Sequence, residues 1–168
     1  MTSKIHPTAF IHPLADVEEG ATVGKNSQVW RWSHVMPDAI IGDNVMIGEG
    51  CHIASGVVIG DNCRIQNCCQ LFEGVTLESS VFLAPNVIFT NVKFPRAHRK
   101  GKFEKTILRS NCSVGANSVI LCGIEIGTWA MIGMGSVVTR GVAPGVTAFG
   151  CPAVAKKNKN HHLEKLNI

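Results

Sequence analysis

Residues 41–65 read IGDNVM-IGEGCH-IASGVV-IGDNCR-I, four consecutive hexads that each open on isoleucine. The period runs outward in both directions. Upstream lie Ile5, Ile11, Val17, Val23, Val29 and Val35, and downstream Leu71, Leu77 and Leu83, so every sixth residue from 5 to 83 is aliphatic. Four residues after each comes a small or β-branched side chain, such as Ala21, Ser27, Ser33, Ala39, Val45, Cys51 and Cys69. Side chains on a strand alternate, so this residue and the next aliphatic, two positions on, face the same way. Three residues after each aliphatic falls a Gly or Asn in thirteen of twenty repeats, among them Gly20, Asn26, Asn44, Gly56 and Asn62. Those two residue types tolerate the left-handed backbone of a sharp corner.

Each hexad is thus one short strand and one corner. A period of six does not keep one face of a 3.6-residue helix apolar. Three hexads close a triangular turn of 18 residues, which puts Asn26, Asn44 and Asn62 in one ladder and stacks Cys51 on Cys69. The spacing predicts an all-β parallel β-helix of about seven coils, roughly 35 Å long at about 4.8 Å per coil. The pattern lapses near residue 94 and resumes at Leu108, and Leu83 to Leu108 is 25 residues, one out of phase. A segment of about 94–107 must loop out. The expected division is a β-helix over 1–143 and a capping tail over 144–168, the tail packing as a short helix on the last coil.

Composition agrees with a narrow coil. The 168 residues include 17 glycines and no tyrosine, and only 6% are aromatic, which leaves little for a broad globular core. No apolar stretch approaches the roughly 20 residues of a membrane span. The N-terminus lacks the apolar run of a signal peptide, so the expected location is cytoplasmic, with no membrane partner. The seven cysteines form no C-x-x-C pair and are odd in number, which argues for buried thiols over a disulfide framework or a metal site. The net charge of +4 is concentrated in Lys93, Arg96, Arg99, Lys100, Lys102 and Lys105 and in the lysines of the tail. No nucleic-acid-binding motif or interleaved aromatics accompany these patches; phosphates on a small ligand suit them.

The hexads IGDNVM, IGEGCH, VGANSV and IGMGSV resemble those of the hexapeptide-repeat acyltransferases. The segments VWRWSHV, RIQN, FEGVTLESSVF, FTNVKFPR and VGANSVILCGIEIG resemble, more closely, the N-acetyltransferases of UDP- or dTDP-linked 3-amino sugars. The resemblance implies a left-handed coil, a homotrimer, acetyl-CoA as cosubstrate, no metal, and a role in bacterial surface-polysaccharide (O-antigen and lipopolysaccharide) synthesis. It does not choose the nucleotide. Val92, after the motif Asn91, looks like the UDP-uronate enzymes, whereas Glu73 looks like the dTDP type. In the closing GCPAVAKK, Val154 replaces the family's basic residue, leaving Lys156 or Lys157 to meet CoA phosphates.

The 18-residue turn also groups candidate site residues. Asp16, His34, His52, Gln70 and Ile88 fall in one outward row, and Glu73 and Asn91 fall at one corner beside it. Asn91 and Glu73 are the expected catalytic pair, with His34, His52, Gln70 and Arg96 binding the sugar nucleotide. Arg96 lies in the basic loop, where a guanidinium can fork onto a diphosphate or a carboxylate; His98 is a further loop candidate. For acetyl-CoA the resemblance points to Ala116, Met134, Thr139, Arg140, Pro152 and Lys156. Two other classes fit the coil. A zinc enzyme like the γ-carbonic anhydrases needs three converging histidines, whereas His34 and His52 stack in one row with no third. A non-catalytic β-helix of the antifreeze kind needs flat threonine ladders, which this chain lacks.

Overall fold

A computed structural model describes residues 4–98 and 101–156. It is a left-handed parallel β-helix whose described residues form 23 short strands in three sheets of seven, nine and seven, with an eighth turn begun at Val142. Most strands are two residues long, as in His34–Val35, His52–Ile53 and Gln70–Leu71. Pairing is parallel with the expected offset of 18, for example His34↔His52 and Ile41↔Ile59. The second residue of each strand points inward and is the aliphatic of the hexad. Ile41, Ile47, Ile53, Ile59, Ile65, Leu71, Leu77 and Leu83 form a column with essentially no exposed surface.

The small residue of each hexad fills the corner beside that column. Where it carries a polar atom, that atom serves the backbone. The Ser33 hydroxyl donates to the Gly48 carbonyl (2.6 Å) and accepts from the Cys51 amide (3.0 Å). Ser27 does the same for Gly42 and Val45. The thiols of Cys51, Cys63 and Cys69 occupy the same place and point at the carbonyls of Gln66, Glu78 and Ala84. A buried carbonyl left without a donor costs about 1–3 kcal/mol, so Ser and Cys belong to the fold here. All seven cysteines are unpaired thiols. Burial pushes Cys63 up to about 11 and Cys112 up to about 12, keeping both protonated at neutral pH.

Corners adopt the left-handed backbone, and the Asn26 side-chain Nδ2 donates to the Asn44 Oδ1 at 3.3 Å. A second rung joins Asn86 to Asn117 at 3.1 Å, across the looped-out segment. Trp32, Asp38, Cys68, Ser80 and Trp129 take the same conformation without being Gly or Asn.

The segment leaves the coil after Ile88–Phe89 and returns at Thr106–Leu108. Thr106 pairs with Val75, an offset of 31 in place of 18, so 13 residues are inserted and the stacking resumes in register. The expected tail helix is not formed over 144–156. Thr147–Gly150 extends the second sheet through Met131↔Thr147, then turns back as an antiparallel hairpin with Ala153–Lys156. The inward Ala148 continues the buried column, and adding a strand to an open coil end satisfies amides that a helix would leave unpaired. The end of the tail, HHLEKLNI, lies outside the described residues. No helix of the described chain is long and apolar enough to cross a membrane.

Candidate active site

The corner after the third strand of each turn carries aligned residues from successive coils. Met36, Ala54 and Phe72 share one position, and Ser55, Glu73 and Asn91 the next. With His52 these residues line a cavity of about 220 Å³. His52, Glu73 and Asn91 are therefore brought together as the spacing predicts. Met36, Ala54, Ser55 and Phe72 were missed, although the same count of 18 reaches all of them. Asn91 is half-buried, and among the described residues its side chain and that of Glu73 make no hydrogen bond or ion pair. Both are free to meet a ligand.

The row of outward side chains builds one wall. The His34 Nε2 lies 2.6 Å from Glu18 and 3.9 Å from Asp16. The rings of His34 and His52 are 5.5 Å apart, and that of His52 is 5.5 Å from Phe72. Burial, and after it the neighbouring His34, hold the His52 imidazole below the usual histidine value. A neutral ring against the cavity follows. Gln70 pairs with His52 and Ile88 in the same sheet but does not line the cavity. No three His, Cys, Asp or Glu side chains among the described residues are grouped to hold a metal ion.

Arg96 lies elsewhere. It lines a second, larger cavity of about 440 Å³ within the looped-out segment, together with Val92, Phe94, Lys102 and Glu104. The consecutive residues Asn91 and Val92 line one cavity each. His98 is exposed and lines neither.

The residues expected to meet acetyl-CoA fall into two groups. Ala116 and Met134 are stacked at one corner of the last coils, where the Gly135 amide donates to the Ala116 carbonyl at 2.8 Å. Met134 is 82% exposed. The hairpin reaches the same end: the Gly150 amide donates to the Ser136 hydroxyl, Pro152 lies in its turn, and the Lys156 ammonium sits 4.8 Å from the Phe149 ring. Thr139 and Arg140 are exposed at the other end of strand Val137–Val138. Strand Val137–Val138 lies between Met134 and these two residues along the chain.

The model of the bacterial transferase hexapeptide family, described as six repeats, matches residues 20–54, 38–73 and 105–140. The chain belongs to the bacterial hexapeptide transferases. A dTDP-3-amino-3,6-dideoxy-α-D-galactopyranose 3-N-acetyltransferase from Aneurinibacillus thermoaerophilus is 46% identical to this transferase over 150 residues, spanning 89% of this chain and 78% of the relative. Two solved structures share its fold. A UDP-N-acetylglucosamine acyltransferase from Campylobacter jejuni superposes with a TM-score of 0.60 at 20% identity, covering 91% of this chain and 74% of that one. The N-acyltransferase AntD from Bacillus cereus, bound to dTDP and 3-hydroxybutyryl-CoA, gives 0.55 at 18% identity, covering 92% and 81%. A match over 89% of the chain takes in hexads on both sides of the loop, so the transferase was legible from repeat and motif together.

Proposed function

We propose that this transferase moves the acetyl group of acetyl-CoA to the 3-amino group of a dTDP- or UDP-linked amino sugar, in the cytoplasm, for bacterial surface-polysaccharide synthesis. The observation that carries the reading is the cavity where Asn91 and Glu73, both without other partners, face the neutral His52. The 46% identity to a dTDP-3-amino-sugar acetyltransferase supports the substrate class.

Acyl transfer needs an uncharged amine aimed at a thioester carbonyl. The Asn91 side-chain oxygen accepts a hydrogen bond from the sugar amine and turns its lone pair toward that carbonyl. The C–N bond forms, the tetrahedral intermediate collapses, and the C–S bond breaks. The amine's surplus proton ends on the CoA sulfur. Positioning of this kind provides effective molarities of about 10⁵ M or more. Glu73, one coil away, holds the sugar hydroxyls or Asn91. His34, His52 and Gln70 form the wall beside the sugar, and Arg96 in the basic loop meets the diphosphate. Ala116, Met134, Thr139, Arg140, Pro152 and Lys156 take the CoA arm. Thr139 and Arg140 reach it from a neighbouring chain of a homotrimer, consistent with their separation from the other four within one chain.

A panel of dTDP- and UDP-linked 3-amino sugars with acetyl-CoA, read by thiol release, tests the reading. Asn91→Ala is expected to lower kcat by at least about tenfold, because the lost contact is made chiefly in the transition state. Asn91→Asp retains an acceptor oxygen and recovers part of the loss. His34→Ala and His52→Ala raise KM for the sugar nucleotide. Full kcat in Asn91→Ala, with loss in either histidine variant, replaces positioning by a histidine base.

A further inference from the structure

The corner that carries Glu73 is unlike the others in its column. Gly56 and Gly74 occupy the same place in adjacent coils, and both have left-handed backbone, at φ +69° and +91°. A Cβ on Gly56 would meet nothing within 4 Å. A Cβ on Gly74 would lie 2.6 Å from the Glu104 carbonyl oxygen and 3.3 Å from its carbon. The obstacle is backbone of the returning loop, which cannot swing aside as a side-chain tip can.

That returning chain is tied on both sides of the site. The Glu104 amide donates to the Asn91 carbonyl at 2.9 Å, and the Thr106 amide donates to the Gly74 carbonyl at 2.9 Å. Beneath it, the buried Thr106 hydroxyl accepts from the Gly123 amide at 3.1 Å. Asn91 starts the loop and Glu104 closes it, so this bond is the neck of the insertion. Glu73 is joined covalently to Gly74, and Asn91 is joined through Glu104. Without a Cβ at 74 the three strands of backbone close up, and the two cavity-lining side chains share one rigid frame.

We propose that Gly74 is a positioning residue: its missing side chain lets Glu104 seat against the corner and thereby sets Asn91, relative to Glu73, for the transfer. The proposal rests on the catalytic reading of Asn91 given above. A misplacement of about 1 Å at a reacting group costs on the order of 100-fold in rate, which is the scale of shift that a Cβ at 2.6 Å demands.

Paired substitutions isolate this role. Asparagine tolerates the left-handed backbone better than other residues that carry a side chain, so Gly56→Asn is the control for Gly74→Asn, which adds the collision with Glu104 and the wider φ of +91° against +69°. Gly56→Asn is expected to keep kcat within about twofold. Gly74→Asn is expected to lower kcat at least about tenfold while KM for acetyl-CoA stays near its original value. If Gly74 acts through Asn91, the losses of Gly74→Asn and Asn91→Ala do not multiply in the double variant. Should Gly74→Asn fail to fold, Glu104→Pro removes the donor to Asn91 directly and is expected to give the same kcat loss. Unchanged kcat in folded Gly74→Asn, or in Glu104→Pro, overturns the proposal, as does full multiplication of the two losses. If Asn91→Ala itself keeps full kcat, the catalytic reading of Asn91 has failed first, and the single variants separate the two cases.

Discussion

His52 sits where two demands on one side chain meet. Its backbone holds the sheet between His34 and Gln70, and its ring is packed between the His34 and Phe72 rings. Burial and, after it, the neighbouring His34 disfavour a charge, and the folded-state pKa falls below the ordinary histidine value of about 6.5. The unfolded chain therefore binds more protons than the native one as pH drops below 6.5, and stability falls with pH across that window. It is fully present above 6.5, where the imidazole is neutral in both states. Replacing His52 by Gln is expected to flatten this slope, measured as the urea midpoint followed from pH 8 downward. An NMR titration of the ring in the intact protein is expected to give a value below 6.5. In His34→Gln the value rises only in part, because burial is the larger cause. A ring that titrates above 6.5 refutes the neutral wall assigned to the sugar site.

At the scale of the element, the hexad and the loop were read with different success, for physical reasons. The strand and corner repeat every six residues, so each inward aliphatic is confirmed by its neighbours 18 away, as the Ile41↔Ile59 pair shows. The loop was found from its arithmetic alone: the phase slip between Leu83 and Leu108 reappears as the offset of 31 between Val75 and Thr106. Trp32 and Trp129 at left-handed corners were not legible, because stacking fixes the corner and overrides the residue's own preference. The hairpin of Thr147–Gly150 with Ala153–Lys156 was not legible, because the open sheet edge that it extends is set by where the coil ends and not by the hexad pattern. Arg96 lies in the looped-out segment as the phase slip implies, but the cavity it lines with Val92, Phe94 and Lys102 was not legible, because the loop's own folding is not a property of spacing. The loop's part in binding has a direct test. The Asn91–Glu104 bond joins its two ends, so replacing residues 93–103 with a Gly-Gly link is expected to leave the β-helix intact by circular dichroism. With Lys93, Arg96 and Lys102 gone, KM for the sugar nucleotide is expected to rise at least about tenfold, since each charge-assisted phosphate contact contributes about 1.5–3 kcal/mol. KM for acetyl-CoA is expected to change little. An unchanged sugar-nucleotide KM would make the loop a solvated insertion.

For the molecule as a whole, the decisive feature is how much apolar surface the single coil leaves outside. The first residue of each strand points outward, and several are large: Phe10 is 44% exposed, Ile40 49%, Phe82 41%, Ile88 39% and Met131 50%. They are arranged in flat rows by the sheet pairing, as in Phe82 beside Arg64 and Ser113. The row bearing the site changes character along its length. Asp16, His34, His52 and Gln70 give way to Ile88, Val119 and Val137 toward the C-terminal end. A flat row of this kind is a poor surface to leave in water, and head-to-tail pairing of rows on different faces of the prism is the arrangement that closes into a ring. The homotrimer proposed above matches the three-sided cross-section, and in it the exposed Thr139 and Arg140 of one chain are expected to face the Ala116 and Met134 corner of the next. Light scattering of active enzyme is therefore expected to give three times the 18.0 kDa chain mass, unchanged on dilution through the assay range. Ile88→Glu, which places a charge in the apolar half of the row, is expected to dissociate the assembly and abolish acetyl transfer while leaving the circular dichroism of the coil in place. A chain that remains monomeric at full activity would require the CoA arm to be held by one subunit alone, against the separation of its two groups of contacts.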